Sequence, residues 1–158
     1  MSGSDEIRIR TAGLADLQHL IHHRRSMFED MGHTDPAILA DVDRVSAQYF
    51  RDALAGGKYH AWLAELPGGR VVAGGGIVVN DWPGHLREIQ PRRVWILNMY
   101  TEPEFRRRGL ARRLMETMVT WCRAEGFGSV SLHASVEGRP LYESMGFEPT
   151  NEMRLKLR

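Results

Sequence analysis

Seven largely apolar, β-prone residues from Val94 to Tyr100 run into a break at Thr101-Glu102-Pro103, and from Gly109 onward the pattern turns strongly helical. The chain is organised around this strand, turn and helix start. Three consecutive arginines, Arg106, Arg107 and Arg108, fall where the first N–H groups of a helix have no carbonyl partner, and Gly109 lets a ligand approach the backbone closely. Free amides, the positive end of the helix dipole and guanidinium groups all favour an anion there, a phosphate or pyrophosphate above all. A solvated basic helix start is the plainer alternative. Neither a Walker A loop, G-x-x-x-x-G-K-[ST], nor a dinucleotide fingerprint, G-x-G-x-x-G, occurs in the chain.

The basic cluster is local. The formal net charge is +1, from 21 basic and 20 acidic side chains, so no global field draws the chain to nucleic acid or an anionic membrane. With 42% apolar and 26% charged residues over 158 positions, the sequence reads as one globular domain with a substantial core. A single cysteine, Cys122, excludes an internal disulfide and a thiolate metal cluster. No apolar run reaches membrane-spanning length, and Met1 to Glu6 lacks the basic and apolar regions of a signal peptide, so the expected location is cytoplasmic.

Around the central unit, Ile7-Arg8-Ile9-Arg10 alternates and predicts a first strand. Leu14, Leu17, Leu20, Ile21, Met27 and Phe28 give a helix ending near Gly32, and Asp35-Pro36 opens a second that runs past Leu54 to Gly56-Gly57. Tyr59 to Leu66 and Val71 to Val79 predict an antiparallel hairpin across Pro67-Gly68-Gly69. Gly74-Gly75-Gly76 interrupts its second strand, which signals a bulge or a close approach by another group. Asn80 to Arg93 reads as a loop beside the site. After the central strand, Leu110, Ala111, Leu114, Met118, Trp121 and Cys122 form the buried side of a helix stopped by Gly126. Val130 to Ala134 is a fifth strand, Pro140 to Met145 a short helix and Met153 to Leu157 a last alternating strand, so the order is βααβββαβαβ. No linker or repeat divides residues 1–158, which form a single domain.

Arg106-x-x-Gly109-x-Ala111 resembles the [Q/R]-x-x-G-x-[G/A] signature of the GNAT superfamily of N-acetyltransferases. A second segment, Arg139-Pro140-Leu141-Tyr142-Glu143-Ser144-Met145-Gly146-Phe147, resembles that family's L-Y-x-x-x-G-F element at the family's usual spacing. The resemblance implies an α/β (α+β) fold with a central mixed, mostly antiparallel sheet and helices on both faces. It also implies an acetyl-CoA-dependent enzyme that moves an acetyl group to a primary amine of a small acceptor by direct attack in a ternary complex. A non-catalytic acyl-CoA-binding sensor or interaction module is the alternative. In such enzymes the fourth and fifth strands splay apart. The pantetheine arm would then pair with Met99, Tyr100 and Thr101, and the pyrophosphate would rest on Arg106, Arg107, Arg108, Gly109, Leu110, Ala111 and Arg112.

Acetyl transfer to an amine needs a neutral amine, a stabilised oxyanion and a proton for the leaving thiolate. An alkyl amine of pKa about 10.4 is charged at pH 7, and removing its proton costs roughly 4 to 5 kcal/mol. Glu102 and Glu88 are candidate bases, Asn98 a candidate holder of a water, and His133 a further candidate. The resemblance assigns Tyr142 as the general acid and a backbone N–H near Met99 as the oxyanion donor. Met27, Phe28, Glu29, Asp30 and Asp35, with Asp81 and Trp82, are expected to line the acceptor pocket. His19, His22 and His23 share helical spacing but lack other ligands, so they read as a solvated face and no metal is expected. Cys122, on the apolar stripe, reads as inert. An exposed sheet end, covered in many relatives by dimerising, implies a homodimer.

Overall fold

The computed structural model describes residues 6–158. The expectation that the first residues carry no leader falls on residues 1–5 and so lies outside the described residues. Strands β1 (Arg8–Thr11), β2 (Tyr59–Glu65), β3 (Val71–Asp81), β4 (Arg92–Thr101) and β5 (Ser131–Leu132) form one sheet in sequence order. Every pair is antiparallel except β4 with β5, which is parallel. Helices α1 (Leu17–Asp30) and α2 (Pro36–Ala55) cover one face and α3 (Leu110–Ala124) the other, with α4 (Arg139–Ser144) packed beside α3. This is the mixed α/β architecture expected. Among the described residues no helix is long and apolar enough to cross a membrane.

The helices begin where local chemistry directs. The Asp35 carboxylate accepts from the N–H groups of Ala37 and Ile38 while Pro36 supplies a preset φ, which fixes the start of α2. On α3, Leu110, Leu114, Met115, Met118 and Cys122 recur at helical spacing and sink onto Val72, Ile77, Val94 and Ile96. On the opposite face Leu20, Phe50 and Ala53 cover Tyr59, Ala61 and Leu63. Each fully buried aliphatic side chain contributes about 1.5 to 3 kcal/mol, which makes these stripes the main hold between helices and sheet.

The glycine triplet does both things the sequence allowed. Gly76 pairs with Leu97 and Gly74 with Tyr100, so Gly75 alone opposes Asn98 and Met99, a bulge on which Asn98 takes φ 60°. A Cβ on Gly74 would stand 2.8 Å from His23 Nδ1, one on Gly76 would collide with the Tyr59 hydroxyl, and one on Gly75 with the Met99 sulfur.

Two expected elements are corrected. β5 is only two residues long, and Met153 to Leu157 forms no strand. Met153, Leu155 and Leu157 stand 94%, 81% and 86% exposed. Alternation along that tail is real, but so short a β5 gives it little ladder to join.

Candidate functional site

The ladder between β4 and β5 consists of Trp95 with Ser131 and Ile96 with Leu132. Beyond it β4 carries its bulge at Asn98. The Glu102 N–H donates to Val72 O, so by strand alternation Thr101 directs its backbone groups to the opposite edge. The Thr101 carbonyl there accepts from Arg106 Nε at 2.9 Å. Met99 to Thr101 thus carries a strand edge with no β5 residue beside it.

That edge is followed by a single 3-10 turn, Pro103–Phe105, and then by the arginine loop. Arg107 and Gly109 are left-handed, at φ 64° and 78°, and α3 starts at Leu110 with no side-chain cap. Arg113 is the first to donate back, to the Gly109 carbonyl. The amides of Leu110, Ala111 and Arg112 are therefore the orphan donors of the first turn. No heavy atom lies within 4 Å of where a Gly109 Cβ would be, so the requirement for glycine is its backbone angle and the space above it is open. The arginines divide. Arg107 and Arg108 are exposed at the loop, Arg108 lying 5.0 Å over the Phe105 ring. Arg106 instead pairs with Asp30 at 2.7 Å, which holds its guanidinium above its usual pKa, and Arg112 donates to Ser144 Oγ at 2.7 Å. The last contact ties the first turn of α3 to α4, the helix that carries Tyr142.

Across the gap lies α1. His22 Nε2 stands 2.6 Å from Glu102 Oε1, and His22 Nδ1 faces Ser26 Oγ at 3.5 Å. The neighbouring His23 is buried to 1% exposure with Nδ1 unpartnered, and burial, helped by His22 and His19, pushes its pKa down to about 3. Its ring lies 5.5 Å from that of Tyr100. Asn98 Nδ2 donates to the Leu20 carbonyl at 3.2 Å, leaving Oδ1 without a partner, and the buried Tyr59 hydroxyl also has none. Three orphaned polar atoms thus sit buried on the α1 face around the glycine triplet.

The structure gathers some expected site residues and disperses others. Asn98, Met99, Tyr100, Thr101 and Glu102 follow one another along the open edge. Tyr142 packs against the α3-side core, where burial raises its pKa above the usual phenol value. Phe28 lies under Arg24, and Arg25 reaches both Glu29 and Asp43 of α2, so the end of α1 is held by its own contacts, by α2 and by Arg106. Asp81 and Trp82 lie elsewhere: Asp81 pairs with Lys58 at 2.8 Å opposite Arg92, at the end of β3 remote from Gly74, and Trp82 packs tilted against Trp95. Glu88 is buried and accepts from the Gly128 N–H, and His133 pairs with Glu152 at 3.0 Å. His19, His22 and His23 do not form a uniformly solvated face, because His23 points inward. Sequence reasoning named His22 and His23 only as part of a solvated histidine face, and did not single out Ser26 or Tyr59. His23 could have been found, since it stands three after Leu20 and four before Met27 on the apolar stripe.

Residues 19–147 match the model of the Acetyltransferase (GNAT) family. Among characterised proteins the chain is similar to human N-acetyltransferase 8, 27% identical over 123 residues, which cover 76% of this chain and 50% of that protein. The chain therefore spans about half the length of the curated relatives it matches. Among solved structures it is similar to a GCN5-related N-acetyltransferase from Ralstonia eutropha, with TM-score 0.88 and 34% identity over 96% of this chain and 98% of that one. A predicted acetyltransferase from Clostridium acetobutylicum, solved with acetyl-CoA, gives TM-score 0.86 and 30% identity over 96% of each chain.

Proposed function

The chain belongs to the GNAT family of acetyltransferases, and on that premise we propose that it transfers an acetyl group from acetyl-CoA to a primary amine of a small acceptor by direct attack in a ternary complex. One observation carries the reading. The open edge of β4 is followed, after the turn at Pro103–Phe105 and the arginine loop, by the uncapped N-terminus of α3, and the two together offer backbone donors for an amide-bearing arm and for a pyrophosphate. Arg107 and Arg108 add charge to the phosphate end, whereas Arg106 braces the loop through Asp30 and Thr101.

Bound there, acetyl-CoA would supply a thioester carbonyl open to attack and a thiolate leaving group. Tyr142 would give that sulfur a proton, and its raised pKa means that the phenol still carries one at neutral pH. Asn98 and Glu102, on the α1 side of the same edge, would then deal with the amine. Calorimetric titration of acetyl-CoA tests the reading. Tight binding is expected, with loss of about 100-fold or more in Gly109→Glu, whose carboxylate would occupy the anion's place. Tyr142→Phe should bind equally well yet release thiol about 10² to 10⁴-fold more slowly. Binding without release from any amine would instead describe a sensor.

The tail from Met153 to Leu157 supports a homodimer in which a second copy covers its apolar side chains. Sedimentation of Leu155→Asp should then yield monomers. A cytoplasmic site of action fits the one buried thiol and is tested by fractionation.

A further inference from the structure

His22 entered the sequence analysis only as one of three histidines read as a solvated face, and its geometry is specific. A carboxylate only accepts, so the 2.6 Å contact with Glu102 places a proton on Nε2, and in the neutral ring the lone pair is then on Nδ1. Nδ1 faces Ser26 Oγ at 3.5 Å, too long for a strong hydrogen bond, so the lone pair stays available. The ring lies edge-on to Tyr100, 6.1 Å between centroids, and is 54% exposed, while Glu102 behind it is 18% exposed. A half-exposed imidazole thus sits beside the unpaired edge of β4, with Glu102 holding it at Nε2 and a weakly engaged Nδ1 on its other side. Other charged and titratable groups around it are His19 and His23 on α1, Tyr100 on β4, and Arg106 with Asp30. Arg106 occupies Asp30, which leaves Glu102 as the carboxylate in contact with the imidazole.

We propose that His22 Nδ1 takes the proton of the acceptor's ammonium group and that Glu102 positions the imidazole for it, an inference that rests on the acetyltransferase reading above. The protons balance. An acceptor R–NH3⁺ becomes an amide by losing two N–H protons. One moves to His22 Nδ1, forming an imidazolium whose charge Glu102 offsets, and passes to solvent from the exposed ring. The other ends on the sulfur when the C–N bond has formed and the C–S bond has broken, with Tyr142 delivering a proton and recovering one. Neighbouring His23 does not share the task, because it is buried and stays neutral.

The test measures thiol release with putrescine, L-lysine amide and L-methionine amide as probe acceptors. His22→Gln should lower kcat/KM by about 10²-fold at pH 7 with the acetyl-CoA Kd unchanged, and added imidazole should restore part of the rate. Its deficit should shrink as pH rises, because the amine then sheds its own proton. Glu102→Gln should cost about tenfold, and in ¹⁵N-histidine spectra of the free protein it should abolish the low-field Nε2–H signal of His22. Turnover of His22→Gln within twofold of the unmodified protein would overturn the assignment, as would a lowered rate indifferent to imidazole. Absence of amine-dependent release by the unmodified protein overturns the acetyltransferase reading and this inference together, whereas release that survives His22→Gln overturns this inference alone.

Discussion

The two faces of the sheet are made from the same strands on opposite terms. Against α3, Leu114, Met115 and Met118 meet Val72, Ile77 and Ile96 in a wholly apolar layer, and even Cys122 there is kept protonated, its pKa pushed up to about 11 by burial. Against α1, buried His23, Asn98 and Tyr59 keep polar atoms without partners. One face is built to hold the fold, and the other accepts unsatisfied polarity where the bulge, the open edge and His22 converge. Departures from good packing of this kind are expected beside a working site.

Substitutions that test this contrast differ in size. Leu114→Ala, on the apolar face, should cost about 2 to 5 kcal/mol in urea unfolding, and a cost below 1 kcal/mol would mean that the layer is looser than its burial suggests. On the polar face, acid should act through His23. Its folded pKa of about 3 lies below the unfolded value of about 6.5, so as pH falls the unfolded chain gains a proton that the folded chain refuses. The His23 contribution is complete above pH about 6.5 and is lost toward pH 3, amounting to roughly 2 to 3 kcal/mol by pH about 4.5. His23→Gln should flatten that slope; an unchanged slope would assign it elsewhere. Gly76→Ala, which forces a methyl onto Tyr59, should cost about 1 to 3 kcal/mol, and more than Gly13→Ala, whose Cβ would meet nothing within 4 Å. Smallest of all, Tyr59→Phe should change stability by less than about 1 kcal/mol, because the hydroxyl it removes has no partner. A larger loss would reveal a hydrogen bond to Asn98.

What the sequence made legible is what is local. The strand from Val94, the turn at Pro103 and the periodic helix from Leu110 were readable because each signal lies within a few residues. The contact of His22 with Glu102 spans 80 positions, and no periodicity encodes a meeting at that distance. Arg106 was expected to serve the anion alongside Arg107, yet Asp30 captures its side chain from another helix. Met153 to Leu157 showed the alternation of a strand, but alternation states only which side chains share a face, not whether a neighbouring strand is long enough to receive them.

The bulge at Asn98 has a further consequence for how this strand tolerates change. Val94 and Ile96 look toward α3, and Leu97 toward α1; Asn98 then repeats the direction of Leu97 before Met99 returns to α3 and Tyr100 to α1. The strand therefore carries a phase shift, much as a reading frame does after an inserted letter. Deleting Asn98 would cost the buried hydrogen bond to the Leu20 carbonyl, yet it would close the bulge and pair Gly75 with Met99, leaving Leu97, Met99 and Tyr100 on the faces they now address. Loss of one residue is thus absorbed at the bulge, where it straightens the strand, in a way that loss of one from the regular ladder between Val94 and Ile96 is not.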